Sequence, residues 1–272
     1  MHETSAALFF DVDGTLISHG GGASVDEIVA HAKPTPAVYD AFHRLRERGH
    51  LAFICTGRGR SMVSPALLEL EPAGLICSAG ASIYMDGKQI YRDAMSAELL
   101  HETARQLESA GIEALFESDD NCVAFCPSGA IYTGIPGTPT VASAAELAER
   151  FPGFACNKFC YEDTEFGKFE RIQAFMDEHY DMCDLGIGTG ESTMKGVNKG
   201  TGVAHALKCL GRGRENTFGF GDSENDLAML AAVETPIAMG NALPQVKERS
   251  VFVADSVDDD GVVSAMEHFG LI

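Results

Sequence analysis

Two aspartates stand two residues apart at Asp11 and Asp13, directly behind the apolar run Ala6-Ala7-Leu8-Phe9-Phe10 and directly ahead of Gly14-Thr15. The run reads as a buried strand, and the glycine breaks it into a loop. In a strand, residues i and i+2 point the same way, so both acids can face one small volume. Carboxylates that close repel each other unless a cation or a shared proton intervenes. A hard cation such as Mg²⁺ resolves the conflict, because it takes oxygen ligands and commonly one or two carboxylates beside a phosphate. The carboxyl end of a strand in an open α/β sheet is also where ligands bind. Read alone, the same stretch also fits an acidic turn capping the next helix, the less favoured of the two readings.

Three further pieces follow in order. Leu51-Ala52-Phe53-Ile54-Cys55 is a second apolar run and ends in Thr56-Gly57-Arg58. Asn198-Lys199-Gly200 opens an amphipathic segment. Thr217-Phe218-Gly219-Phe220 runs into Gly221-Asp222-Ser223-Glu224-Asn225-Asp226. Each piece puts polar groups at the end of an apolar segment. Thr56 offers a hydroxyl and, with Gly57, backbone N–H groups near an expected helix start, which suits an anion; it also suits a plain N-cap. Lys199 is a compact cation able to hold both a carboxylate and phosphoryl oxygens, or a solvated lysine at a helix start. Lys195 is the weaker rival, lacking the matching distance to Asp222.

The ordered set Asp-x-Asp-Gly-Thr, strand-terminal Thr, Lys and Gly-Asp-x-x-Asn-Asp resembles the haloacid dehalogenase superfamily of phosphatases, from residue 8 to about residue 240. Gly196-Val197-Asn198-Lys199-Gly200 and the run from Asp222 to Leu230 look like its Cof-type subfamily. The resemblance implies Asp11 as nucleophile, Asp13 as general acid and base, and Mg²⁺ on Asp11, the backbone carbonyl of Asp13 and Asp222. It implies phosphate contacts from Thr56, Gly57, Lys199 and Asn225, with Asp226 orienting Lys199 or a metal-bound water. Arg58 reaches the substrate or ties cap to core. The second acid at 13 favours phosphoryl transfer to water, since ATPase-like relatives carry Thr there and dehalogenase-like relatives lack the acid. The implied substrates are phosphomonoesters of small metabolites, sugar phosphates foremost. A phosphomutase of the phosphomannomutase kind and a non-catalytic binding protein on the same scaffold are the alternatives. The cap's basic residues Arg105, Lys158, Lys168 and Arg171 are too dispersed to argue for a mutase's second phosphate spot. One departure is Ala79-Gly80-Ala81, where Cof-type chains carry Asn-Gly-Ala; this removes an amide from the core–cap junction.

The elements that must position these residues follow from periodicity. Strands are expected at 6–12, 51–55 and 74–77, with helices behind Thr35 and near 61–70. This β-α-β-α-β order predicts a parallel sheet with helices on both faces. The grammar changes near Ala81. Residues 82–91 read as a hairpin with Asp86-Gly87 at its turn, followed by helices near 96–110, 143–150 and 166–178. Strands are expected near 112–117, 121–126, 155–161 and 181–187. The parallel grammar returns after Gly190. The expectation is an α/β fold: a Rossmann-like core of 1–81 and 189–272, interrupted by an α+β cap at 82–188 that selects the substrate. Gly80, Gly186, Gly188 and Gly190 flank the crossings and are either hinges or strand ends. The stretch 18–36 is a flap over the site or a surface loop.

Composition narrows the partners. Of 272 residues, 45% are hydrophobic and 22% charged, so a packed core is expected. The net charge of −20 disfavours nucleic acid and anionic membrane as partners. No signal-like or membrane-length apolar run is visible, so a cytoplasmic location is the default. The eight cysteines lie in apolar segments and read as reduced and buried. The spacings Cys122/Cys126 and Cys156/Cys160 lie in expected strands, where residues four apart are about 13 Å from each other. Zn–S bonds are only about 2.3 Å, so neither pair can share one zinc ion. Oligomeric state is not legible.

Overall fold

The computed structural model describes residues 5–18, 33–132, 134–185 and 188–272. Most of the 18–36 stretch and Gly186 lie outside them. The chain forms two compact units. The first comprises residues 1–58, 62–92 and 198–272; the second comprises 59–61 and 93–197.

The first unit is built on an eight-stranded sheet. Its strands are β1 (Ala7–Phe10), β2 (Leu51–Cys55), β3 (Gly74–Cys77), β4 (Ser82–Met85), β5 (Lys88–Arg92), β12 (Thr217–Gly221), β13 (Thr235–Ala238) and β14 (Phe252–Val253). The order is β14-β13-β12-β1-β2-β3-β4-β5. Neighbours are parallel from β14 to β3, and β4 and β5 are antiparallel. β1 is central and wholly buried, as its unbroken apolar run requires. Phe9 stacks on Phe53 and Phe10 on Phe220, locking β1 to both neighbours. Helix α1 (Pro36–Glu47) starts on the side chain of Thr35, which accepts from the Val38 N–H, and buries Val38, Ala41, Phe42 and Leu45.

Strands β1, β2 and β3 form where expected, but the helix expected near 61–70 does not. That segment holds a short 3₁₀ turn, Arg60–Met62, and one helical turn, α2 (Pro65–Leu68). Pro65 caps any helix arriving from before it, because its ring excludes residue 64 from helical geometry.

The hairpin 82–92 also departs from expectation. It pairs with β3 (Leu75 opposite Tyr84, Ile76 opposite Ile83) and extends the first unit's sheet. The reading of 82 as the start of the insert took a change from parallel to antiparallel grammar for a change of domain. An antiparallel pair closing the edge of a parallel sheet gives the same local signal.

The second unit carries a six-stranded sheet in the order β10-β11-β9-β6-β7-β8. Its strands are β6 (Ala114–Glu117), β7 (Cys122–Phe125), β8 (Thr140–Val141), β9 (Lys158–Glu162), β10 (Tyr180–Asp184) and β11 (Thr189–Met194). All pairs are antiparallel except β7 with β8. Strand β11 runs past residue 189, so the insert ends later than its polar composition suggested: Thr-Gly-Glu-Ser-Thr carries no alternating apolar signal. Helices α3 (Ala97–Ala110), α4 (Ala144–Arg150) and α5 (Gln173–His179) belong to this unit. The helix expected at 166–178 is a 3₁₀ stretch, Asp163–Ile172, leading into α5. Leu100, Leu107, Leu147 and Met176 share one core with Phe116, Phe125 and Phe159 of the sheet. The remaining helices, α6 (Lys199–Cys209), α7 (Leu227–Ala232), α8 (Pro244–Glu248) and α9 (Gly261–His268), return to the first unit. No helix among the described residues is long and apolar enough to cross a membrane.

Candidate active site

Asp11 follows β1, Thr56 follows β2 and Asp222 follows β12, so three adjacent parallel strands deliver their terminal residues to one end of the sheet. Lys199 comes from helix α6. Asn198 caps that helix by accepting from the Thr201 N–H, and the Thr201 hydroxyl accepts in return from the Asn198 N–H. Lys199 is therefore the first helical residue. A cation is disfavoured there by the helix dipole, so its placement does not serve the helix.

Its ammonium is buried and donates to Asp11 Oδ1 at 2.6 Å, to Asp226 Oδ1 at 2.7 Å and to Asn225 Oδ1 at 3.1 Å. Those contacts use all three of its donors. Asp226 is also saturated: its Oδ2 accepts from the backbone N–H groups of Asp222 and Ser223 at 2.9 and 3.0 Å. It fixes both Lys199 and the turn carrying Asp222. Asn225 presents Oδ1 to Lys199 and to the Ser223 hydroxyl.

Asp11, Asp222 and Asp226 each place one carboxylate oxygen within 4.8 Å of the others. One ammonium faces three carboxylates. Burial pushes Asp11 well above the ordinary range, with Asp226 adding repulsion and Lys199 pulling back. Burial likewise raises Asp222 to about 7, helped by Asp226. A second positive charge is what this set lacks, and an all-oxygen donor set suits a hard divalent ion. Asp11 and Asp222 have coordinating capacity to spare; Asp226 is committed to Lys199 and the backbone. Gly14 makes room for the approach. It sits at φ +88°, and a Cβ there would collide with the Asp222 carboxylate. The Thr15 hydroxyl donates to Asp222 Oδ1 at 3.3 Å.

Asp13 stands apart from this group. Its two oxygens accept from Arg58 Nη2 at 2.6 Å and Nε at 2.9 Å, a bidentate pair. Arg58 is thus engaged within the first unit, which neither sequence reading of it anticipated. Its Nη1 is buried without a partner. Thr56 is buried, and its hydroxyl accepts from the Arg58 N–H at 3.1 Å. Gly57 lies between them, but no long helix begins there. The N–H groups at 56–58 therefore carry no helix dipole, unlike the expectation.

The junction after β3 is strained. Ser78 and Ala79 both have φ above +50°, and Gly80 follows at +104°. The Ala79 N–H donates to the Thr56 carbonyl at 3.0 Å. A Cβ on Gly80 would collide with the Asn198 carbonyl at the start of α6. Sequence reasoning missed Asn241, whose side chain donates to the Gly14 carbonyl at 2.8 Å and accepts from the Val257 N–H. Its signal was available: it is a polar residue in the loop that follows the apolar strand β13, three residues past its end.

A family model for haloacid dehalogenase-like hydrolases matches residues 8–266. The chain belongs to that family. A Streptococcus pyogenes serotype M6 protein named as a phosphatase is 38% identical over 96% of this chain and 97% of its own length. The pyridoxal phosphate phosphatase YbhA of Escherichia coli K12 is 27% identical over 94% of this chain and 96% of its own. Among solved structures, the HAD subclass IIB sugar phosphatase BT4131 superposes with a TM-score of 0.78 at 26% identity, covering 98% of this chain and all of that one.

Proposed function

We propose that this hydrolase is a Mg²⁺-dependent phosphatase of small phosphorylated metabolites, sugar phosphates foremost, working through an aspartyl-phosphate on Asp11. The observation that carries the reading is the buried Lys199 ammonium shared between Asp11 and Asp226 beside Asp222. The phosphatase names of the relatives agree with it.

Asp11 is the nucleophile. Lys199 fixes one of its oxygens, and a carboxylate attack on phosphorus splits one hard step into two. Asp11, Asp222 and the backbone carbonyl of Asp13 would hold the divalent ion, which would neutralise charge between an anionic substrate and an anionic nucleophile. Thr56, Gly57, Lys199 and Asn225 bind the phosphoryl group, Lys199 by giving up one of its three present contacts, and Arg58 Nη1 is a further donor available to substrate. Asp13 protonates the leaving alkoxide and later takes a proton from the attacking water. To do so its carboxylate must give up at least one of the two hydrogen bonds to Arg58. The insert serves as the cap that discriminates between leaving groups.

A mutase is not favoured. In the insert, Lys158 is paired with Glu117 and Glu191, Lys168 with Glu165 and Arg105 with Glu102, while Arg171 donates to the Ala110 carbonyl.

The test is release of inorganic phosphate from p-nitrophenyl phosphate with Mg²⁺, and mass spectrometry of rapidly quenched enzyme for a phosphoryl adduct on Asp11. Undiminished turnover in excess EDTA, or activity surviving Asp11→Asn, would refute the proposal.

A further inference from the structure

The loop after β13, residues 239–243, is fastened to the turn that carries Asp222. The Met239 N–H donates to the Gly221 carbonyl at 3.1 Å, and the Leu243 N–H donates to the Asp222 carbonyl at 2.9 Å. Gly240 lies against the chain behind β14. Its N–H donates to the Asp255 carbonyl at 2.9 Å, and a Cβ on it would stand 2.6 Å from the Ser256 nitrogen. Between these anchors, Asn241 Nδ2 donates to the Gly14 carbonyl at 2.8 Å, and its Oδ1 accepts from the Val257 N–H at 2.9 Å. The partners decide which end of the amide is which, because a carbonyl only accepts and an N–H only donates. One side chain therefore joins the loops that follow β1, β13 and β14, all within the first unit.

The Gly14 carbonyl and the Thr15 N–H share one planar peptide unit. Holding that carbonyl fixes the plane, and with it the Cα from which the Thr15 hydroxyl reaches Asp222 Oδ1 at 3.3 Å. On its other side, the Gly14 N–H donates to the Ile17 carbonyl at 2.8 Å. Asp222 is thus gripped twice by the same loop: at its carbonyl through Leu243, and at its carboxylate through Asn241, Gly14 and Thr15. Asn241 itself is exposed. Water reaches such a position and can satisfy the Gly14 carbonyl once the amide is gone, but water does not fix the direction in which that carbonyl points. The side chain therefore contributes position more than stability.

We propose that Asn241 is a positioning residue for the divalent-ion site: through the Gly14–Thr15 peptide it sets the direction of the Asp222 carboxylate, while touching neither metal nor substrate. The proposal rests on the phosphatase reading for the assignment of Asp222 as a ligand.

The experiment measures Mg²⁺ binding to the full chain by calorimetry, without substrate. Asn241→Ala should weaken binding about 10-fold, the lower end of what groups that orient a metal ligand are worth, and should still unfold cooperatively in urea. Asn241→Leu keeps the bulk, loses both hydrogen bonds and should behave alike; it carries the test if Asn241→Ala fails to melt cooperatively. In turnover of p-nitrophenyl phosphate, the Mg²⁺ concentration for half-maximal rate should rise in step with the calorimetric constant. Saturating Mg²⁺ should restore most of kcat, and KM for the ester should hold. Lys247→Met controls for a loosened loop, because Lys247 Nζ donates to the Gly240 carbonyl at 2.6 Å; it should leave Mg²⁺ binding within about 2-fold. Thr15→Val removes the last link of the chain, so Asn241→Ala added to it should weaken Mg²⁺ binding little further. Unchanged affinity in both Asn241 variants, an equal loss in Lys247→Met, or losses from Asn241→Ala and Thr15→Val that multiply would each overturn the proposal and leave the phosphatase reading standing. An unsubstituted protein that binds no Mg²⁺ would overturn the metal assignment of that reading, and this proposal with it.

Discussion

Each unit buries one lysine among acids, and the two are held differently. Lys199 joins side chains from the end of β1 and from the turn after β12, where the backbone is irregular and its own N–H groups take part. Lys158 joins side chains within paired strands, where the backbone is occupied by the ladder. The first arrangement leaves a carboxylate cluster short of positive charge at a strand terminus. The second leaves one carboxylate oxygen, Glu117 Oε2, short of a donor on a sheet face. Strain divides the same way. Among the described residues, every non-glycine with positive φ lies in the first unit: Glu71, Ser78, Ala79, Asp86, Asn216 and Asp260. Two of them, Ser78 and Ala79, form the junction after β3, where the Ala79 N–H donates to the Thr56 carbonyl.

The comparison is broken most directly at Asp13, the acid beside the Lys199 site. Asp13→Asn should lower turnover of a sugar phosphate by about 10²–10⁴-fold, the usual worth of general acid–base help. The first step on p-nitrophenyl phosphate should suffer less, because its leaving group needs little protonation. Phospho-enzyme should then build up at Asp11 in rapid-quench samples. Equal losses on both substrates would mean Asp13 is structural.

Replacing each lysine sharpens the contrast. Lys199→Met and Lys158→Met both strand buried carboxylates, so either should cost about 3–5 kcal/mol in denaturant unfolding. Lys199→Met should also lower kcat by about 10²–10³-fold for every substrate alike, the cost of one preorganised donor. Losses after Lys158→Met should differ from substrate to substrate. A uniform loss there would erase the distinction between the two sites.

Asp222→Asn should weaken Mg²⁺ binding and activity by about 10-fold or more, measured by metal titration. The same residue makes a stability prediction for metal-free protein. In the fold, Asp222 holds its proton up to about pH 7, whereas the unfolded chain releases it near 3.8. Its contribution is therefore full below pH 4 and lost as pH rises through 7. Measured against Asp222→Asn, the melting temperature of the unsubstituted protein should fall over that window, and Mg²⁺ should restore it at pH 8.

The smallest effect concerns strain. Ala79 sits at φ +54°, ψ +34°, where a Cβ is unfavourable. Ala79→Gly should raise stability by up to about 1 kcal/mol in urea unfolding, provided relief of the left-handed conformation outweighs the extra freedom of the unfolded chain. A destabilised variant would show that Ala79 packing, not strain, dominates the junction.

Much of the Lys199 site was legible because its signals are local. An apolar run followed by Asp-x-Asp-Gly-Thr names the strand, its end and its acids within ten residues. Asn198 before Lys199 announces the helix start in the same way. Arg58 was visible as a residue, but not as the partner of Asp13, since their meeting requires β1 and β2 to lie side by side in register. The hairpin at 82–92 was correct as a hairpin and misplaced between the units, because pairing preferences within it say nothing about which sheet it joins. Strand β11 was missed because its residues are polar on both faces and give no period.

The sequence by itself determined the α/β order, the strand ends and the acids they carry, since each depends on contacts between chain neighbours. Only the tertiary structure decided that Lys158 belongs with Glu117 and Glu191. A strand offers its side chains to alternate faces, so a slip of one residue in either pairing would have turned Lys158 and its partners to opposite sides of the sheet. Register between distant strands is set by the whole core packing at once, and Phe116 and Phe159 on the buried face are what hold it here.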